Sequence, residues 1–379
     1  MTRSGSSSSS GFVPAPLAQL PWLVILLICA IGGFGVLVLF SAAGGDPKWA
    51  MPQGIRFGGF LVMALAISYV PMRWWSTAAF PLYGLFLVML IGVELLGAVA
   101  GGSQRWLDLG FIRIQPSEMM KVAIVLACAK FYEMLPASEI RKFGAIWPAA
   151  VMIGFPAALV MLQPDLGTAL MITAGGLTVM FLAGIPLRLF IGGILALAVS
   201  VPIIVNYVLH DYQRNRVLTF LNPENDPLGT GYHISQSKIA IGSGGIFGKG
   251  FLNGTQSHLD YLPEGHTDFA LATMMEEWGL MGGLFVIIAY GLLIRWGISV
   301  GMRSQSRFAK LTAAGISTTI FFYVFINMAM VIGLAPVVGI PLPLISFGGS
   351  AQMTTLICVG LLMSLDRENR LNRRTSSWQ

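Results

Sequence analysis

The sequence is poor in charge. Only 11% of its 379 residues are Asp, Glu, Lys or Arg, against about 25% in soluble domains. With 55% hydrophobic residues and a mean hydropathy of +0.75, that scarcity excludes a disordered chain and an ordinary soluble enzyme. Cysteine is also scarce. Cys29, Cys128 and Cys358 each lie in an apolar run, which argues against a disulfide scaffold or a cysteine metal site and suits small packing residues. No basic stripe or RNA-binding motif accompanies the net charge of +6, so nucleic acid is not an expected partner. What remains is an all-α polytopic membrane protein, in which basic excess reports topology.

A spanning helix needs roughly 17–25 mostly apolar residues. Such runs occur near 21–43, 55–72, 77–100, 115–135, 145–163, 166–184, 187–209, 268–294, 309–333 and 340–364, which predicts about ten spans. The run at 115–135 is the weakest, because it carries Glu118, Lys121, Lys130 and Glu133. The first run is longer than the apolar core of a signal peptide and only Arg3 precedes it, so it is expected to stay as a span. Residues 1–20 form a Ser-rich tail, expected to be disordered. Residues 21–366 form one transmembrane domain and 367–379 a basic tail.

Lys and Arg set the orientation. With the N-terminus inside, thirteen of them, from Arg3 to Arg374, fall in inner segments, and four (Lys48, Arg56, Arg105, Arg113) in short outer loops. Both termini are therefore expected inside. Residues 210–267, before span eight, become one large outer loop that holds all four histidines. A loop so long in a compact fold is functional or disordered, and its Tyr, Ile and Phe content argues against disorder.

The densest constellation ends that loop: Asp260-Tyr-Leu-Pro-Glu264-Gly-His266-Thr-Asp268, running into span eight. Asp and Thr suit a helix N-cap, but capping accounts for one of them, not for the cluster. Acids at a membrane edge are costly and mark function. A carboxylate at a helix start is favoured in its ionised form, and can act as a base toward a hydroxyl or hold a divalent cation. The histidine spacing does not indicate zinc.

Gly-Gly-Ser-Gln-Arg105-Trp106-Leu-Asp108 and Gln115-Pro-Ser-Glu118-Met-Met-Lys121 form a second group. Arg beside Trp suits a membrane anchor. Glu118 and Lys121 share a helix face and can neutralise each other, while Arg105 and Lys121 can instead meet phosphates. Gln163-Pro-Asp165-Leu-Gly-Thr168 is a good helix start on the same outer face. The glycine string 242–250 lacks the surroundings of a dinucleotide or phosphate loop. It is expected to end an amphipathic stretch that includes Gln236 and Lys238 and to fold the loop back. Ser346-Phe-Gly-Gly-Ser350, after Pro341 and Pro343, suits either close helix packing or a break that lines a polar cavity.

Taken together, these motifs resemble the SEDS family of bacterial wall synthesis (shape, elongation, division and sporulation). Further carriers are Tyr212-Gln-Arg214-Asn-Arg216, Asn222-Pro-Glu-Asn-Asp226-Pro-Leu-Gly-Thr-Gly-Tyr232, Gln236-Ser-Lys238 and Gly254-Thr-Gln-Ser257. Lys238 and the Gly-Thr-Gln-Ser segment favour the elongation branch over the division branch. The resemblance covers roughly residues 20–366, and Gly265 departs from it where elongation-type members often carry Arg.

The resemblance implies a peptidoglycan glycosyltransferase that polymerises lipid II on the outer face of the inner membrane, with a class B penicillin-binding protein as crosslinking partner and other elongation-complex proteins nearby. It implies Asp268 as the catalytic carboxylate, with Asp260 and Glu264 assisting. Arg105, Lys121 and Arg214 would lie on the phosphate side, with Glu118 holding Lys121. Trp106, Asp165, Gln236, Lys238, His266, Ser346 and Ser350 complete the expected substrate site. No resident cofactor is evident; magnesium or manganese is compatible with the carboxylates. A lipid II flippase and a passive scaffold for the transpeptidase stand as alternatives. Glu94, Glu276 and Glu277 are the carboxylates a flippase would need at mid-depth.

Overall fold

The computed structural model describes residues 20–96, 98–100, 103–108, 113–207, 230–259, 261–262 and 264–376. Each of the ten apolar runs contains a helix. In chain order these are α1 (Trp22–Ala42), α2 (Ala50–Ser68), α3 (Met72–Leu96), α4 (Pro116–Met134), α5 (Phe143–Leu162), α6 (Leu166–Ala183) and α7 (Leu187–Tyr207). Two helices of the long connection before span eight follow, α8 (Thr230–Gly244) and α9 (Thr255–His258). Then come α10 (Ala270–Arg303), α11 (Arg307–Val331) and α12 (Gly349–Ser376). Seven of them, α1, α2, α3, α5, α6, α10 and α11, are long and apolar enough to cross a membrane by length and composition. The protein is an α-helical multi-pass membrane protein.

Four boundaries differ from the sequence expectation. Past Leu96, residues Ala98–Ala100 (β1) pair antiparallel with Ser103–Asp108 (β2), which pairs with Arg113–Ile114 (β3). The run 77–100 therefore ends in a small three-stranded sheet rather than a helix. Span ten does not start at 340. Residues 332–348 are non-helical, because Gly333 and Gly339 take left-handed φ values and Pro341 and Pro343 cannot continue a helix. α12 runs on past 364, the expected end of span ten, and carries the basic segment in helical form to Ser376. Span eight, expected over 268–294, runs from Ala270 to Arg303 and is broken at Gly279, whose φ of 60° and ψ of −153° are not helical. The piece after the break is by itself about 36 Å long at 1.5 Å per residue, enough to cross a bilayer.

The core is a pack of α4, α6 and α11, with α3 and α5 on one side, α10 on another and α12 lying along α2. Small residues let these helices approach. A Cβ on Gly297 would stand 2.2 Å from Ser317 Oγ, where α10 meets α11. α4, the weakest run in the sequence, is the most deeply placed, with Pro116 to Ala129 continuously buried.

Candidate functional site

α4 opens with Pro116 at its first position, where a missing N–H breaks no helical bond. Glu118 and Lys121 then fall on one face of a buried helix, 5% and 2% exposed. They neutralise each other, Lys121 Nζ lying 2.6 Å from Glu118 Oε1. Tyr323 of α11 closes the group: its hydroxyl donates to Glu118 Oε2 at 2.6 Å and accepts from Lys121 Nζ. A buried ion pair holds only when the remaining lone pairs and protons find partners, and Tyr323 supplies them. Nothing in the local sequence around Tyr323 marked it.

Asp165 is the N-cap of α6, its Oδ1 accepting from Thr168 N at 3.0 Å. Its Oδ2 accepts from Gln115 Nε2 at 3.1 Å, and Ser350 Oγ donates to Gln115 Oε1 at 3.3 Å. The capping expectation is met, and the same carboxylate also joins α6 to α4 and α12. Arg105, on β2 beside Trp106, donates from Nε to the Gln163 carbonyl at 3.0 Å and from Nη2 to the Pro164 carbonyl. It thereby ties the small sheet to the turn before α6.

Asp268 lies in the turn 264–269, half-buried. It does not cap α10. Phe269 occupies the N-cap, with no side-chain cap bond, and Thr267 Oγ1 donates to Glu264 Oε2 at 2.5 Å instead. The backbone at Asp268 is fixed from α11, since Asn327 Nδ2 donates to the Asp268 carbonyl at 3.0 Å and to the Ile340 carbonyl at 2.7 Å. Gly339 borders the carboxylate, with a Cβ built there 3.6 Å from Asp268 Oδ2. Tyr323 and Asn327 are one turn apart on α11 and so share a face. One face of α11 therefore reaches both the Glu118–Lys121 pair and the Asp268 turn.

His266 stacks flat on Trp49, ring centres 3.9 Å apart and planes 2° apart, with Lys48 Nζ 4.3 Å from the Trp49 ring centre. Its carbonyl accepts from Phe347 N at 2.8 Å. Burial pushes the imidazole pKa below its ordinary value; Glu264 opposes that and Lys48 reinforces it. A cavity of about 180 Å³ opens here among Trp49, Ser257, Leu262, Glu264, His266 and Thr273. On α8, His233 stacks on Phe269, centres 5.9 Å apart.

Other expected residues stand apart or serve the backbone. Ser346 Oγ accepts from Leu342 N at 2.9 Å and closes the turn before α12. Its carbonyl accepts from Gln53 Nε2 at 3.0 Å. Gln236 and exposed Lys238 sit on α8, where the Lys238 side chain lies over Gly333. Asp260 and Arg214 lie outside the described residues.

The carboxylates named for a flippase have specific partners or positions. Glu276 and Glu277 precede the Gly279 break in α10. Glu276, fully buried, accepts from Thr255 N at 2.8 Å, Gln256 N at 2.9 Å and Lys249 Nζ at 2.6 Å. It holds the start of α9. Glu277 accepts from Ser41 Oγ and has His258 Nε2 at 3.8 Å. The glycine string ends α8 as expected and lies against the break. Leu280 N donates to the Gly245 carbonyl at 2.9 Å, and Gly250 N to the Glu277 carbonyl at 3.0 Å. Glu94 is exposed near the end of α3. Among the described residues, no three His, Cys, Asp or Glu side chains converge where one metal ion would sit.

Fold and site define a multi-pass membrane protein with a polar, charge-bearing network linking α4, α6 and α11 to the turn that enters α10. Residues 19–371 match the model of the FtsW/RodA/SpoVE cell cycle protein family, and the chain belongs to that family. It is 42% identical over 350 residues to the peptidoglycan glycosyltransferase MrdB of Escherichia coli K12, covering 92% of this chain and 94% of that one. Similarity to a probable peptidoglycan glycosyltransferase FtsW of Geobacter sulfurreducens is 35% over 357 residues, 90% and 94% covered. Among solved structures, a chain of a peptidoglycan synthase complex that coordinates polymerization and crosslinking matches with TM-score 0.79 at 34% identity, covering 92% and 98%. The rod shape determining protein RodA of Thermus thermophilus matches with TM-score 0.70 at 29% identity, covering 92% and 97%.

Proposed function

We propose that this protein is a peptidoglycan glycosyltransferase of cell elongation, polymerising lipid II at the outer face of the bacterial inner membrane. It spans the membrane ten times with both termini cytoplasmic, and works beside a class B penicillin-binding protein that crosslinks the strands and other elongation-complex proteins. The observation that carries the reading is the placement of Asp268: a half-buried carboxylate on a turn anchored to the same helix face that holds the buried Glu118–Lys121 pair. A proton acceptor and a paired cation are thus both tied to one face of α11, in a protein 42% identical to a named peptidoglycan glycosyltransferase.

The donor is a sugar on undecaprenyl pyrophosphate, whose tail stays in the bilayer. The acceptor is the 4-hydroxyl of a second lipid-linked unit. Inversion at the anomeric carbon requires removal of the hydroxyl proton and stabilisation of the departing pyrophosphate. Asp268 takes the proton. Lys121 supplies fixed positive charge on the leaving-group side, with Glu118 and Tyr323 orienting it. Arg105 holds the turn before α6 and so the Asp165–Gln115–Ser350 network. A magnesium or manganese ion, if bound, would be held by Asp268 and would neutralise charge on the pyrophosphate.

The test is polymerisation of purified lipid II by the protein in complex with its transpeptidase. Asp268→Asn is expected to abolish glycan strands while the complex still forms. Full activity in that variant would sink the assignment of Asp268. Full activity after neutralising both Asp268 and Arg105 would favour the passive scaffold.

A further inference from the structure

Asn327 is fully buried, and its carboxamide meets the backbone of two non-helical segments rather than its own helix. One segment is the turn 264–269 that carries Asp268. The other is the stretch 332–348 between α11 and α12, where Gly339 borders the Asp268 carboxylate. Both contacts are donations from Nδ2, at 3.0 Å to the Asp268 carbonyl and 2.7 Å to the Ile340 carbonyl. A planar amide offers two N–H groups in fixed directions, so this side chain ties the two segments together at Asp268, beside the backbone bond from Phe347 N to the His266 carbonyl. Asp268 lies outside the regular part of α10, so helical hydrogen bonding does not place it. Of the other ties on this turn, Phe269 N and Thr267 N bond back to the Glu264 carbonyl, and Phe347 N reaches the His266 carbonyl. The Asn327 bond is made to Asp268 itself, from a different helix.

We propose that Asn327 is a positioning residue for the transfer step: it fixes the Asp268 backbone against Ile340 and so the height of the carboxylate at the site, without touching substrate. The proposal rests on Asp268 being the catalytic carboxylate. A misplacement of about 1 Å at a reacting group can cost on the order of 10²-fold in rate. Losing the hold should therefore lower turnover and leave substrate affinity largely intact.

The experiment uses the full protein with its transpeptidase and purified lipid II. It compares Asn327→Leu, Asn327→Asp and Asp268→Asn. Leu removes the donors at similar volume, and an ionised Asp removes them at the same shape. Expected for both Asn327 variants is kcat lowered by about 10- to 100-fold, with KM within about threefold and complex formation retained. Amide hydrogen exchange across 266–270 should rise in the folded Asn327→Asp variant while α11 stays protected. Unchanged kcat with unchanged exchange, beside an inactive Asp268→Asn, would overturn this proposal alone. An active Asp268→Asn would overturn the Asp268 assignment first. Loss of folding in both Asn327 variants would make the residue a strut of the bundle and overturn its role as a positioning residue.

Discussion

The hydroxyl of Tyr323 donates to Glu118 Oε2 at 2.6 Å and accepts from Lys121 Nζ, so a charged pair on α4 is completed by a neutral side chain from α11. All three residues are at least nine-tenths buried. Removing one charge of such a pair strands the other and costs about 3–5 kcal/mol. Lys121→Met is therefore expected to lower the thermal midpoint in detergent sharply. The double variant Glu118→Leu with Lys121→Met should regain most of the loss but stay inactive on lipid II. Equal stability of wild type and Lys121→Met would contradict the pairing.

Tyr323→Phe tests the third member. It keeps the ring and leaves a buried carboxylate oxygen one donor short, at a cost of about 1–3 kcal/mol. The midpoint should fall less than for Lys121→Met. The two changes combined should cost less than their sum, because they break one network.

Glu276 holds the start of α9 through the N–H groups of Thr255 and Gln256 and through Lys249. Glu276→Gln keeps the shape and removes the charge that Lys249 meets. The segment 249–258 should then exchange its amides faster and be nicked sooner by added protease, with α11 unaffected. Unaltered exchange in that segment would show that the glycine string alone holds it.

His266 predicts a pH dependence of known sign. Burial holds its pKa below the ordinary value near 6.5, so the folded protein favours the neutral ring. The stabilisation is fully present above the unfolded value and is lost as pH falls through the folded one. Between pH 7 and 5 the thermal midpoint of the wild type should fall relative to His266→Phe, which keeps an aromatic ring against Trp49. A wild type that gains on His266→Phe in that range would reverse the sign and refute the account.

Gly248 takes a φ of 79°, and a Cβ there would stand 2.0 Å from the Glu277 carbonyl oxygen. Gly248→Ala should therefore separate the glycine string from the Gly279 break and destabilise by more than the roughly 1 kcal/mol that a Gly→Ala change gains where the backbone suits it. Near-normal expression and midpoint for that variant would show that the junction can relax.

Much of the architecture was legible in the chain. The ten apolar runs each contain a helix, because burial in lipid requires internally bonded backbone and only long apolar helices meet that requirement here. Glu118 with Lys121 and Asp165 with Thr168 were also legible, because three-residue spacing and helix starts are local rules. Less visible were the places where two segments compete for one turn of backbone. Neither Asp268 nor Thr267 caps α10, because Thr267 turns to Glu264 and leaves Phe269 at the helix start. The start of span ten was placed too early, because an apolar run gives no sign of where Pro341 and Pro343 stop the helix from beginning. Nor did the sequence show that Glu276 and Glu277 stand before a break at Gly279, where they meet α9 and the end of α1.

Composition and local spacing were enough for a multi-pass helical protein and for a short set of polar residues at helix starts, since hydropathy and helix periodicity are properties of neighbours in sequence. Tertiary packing added the partners: Tyr323 for Glu118 and Lys121, Gln115 between Asp165 and Ser350, Trp49 under His266 and Asn327 on Asp268. These contacts join residues from about 50 to more than 230 positions apart. A buried polar group needs a partner wherever the fold can bring one, and no local pattern says from where it will come.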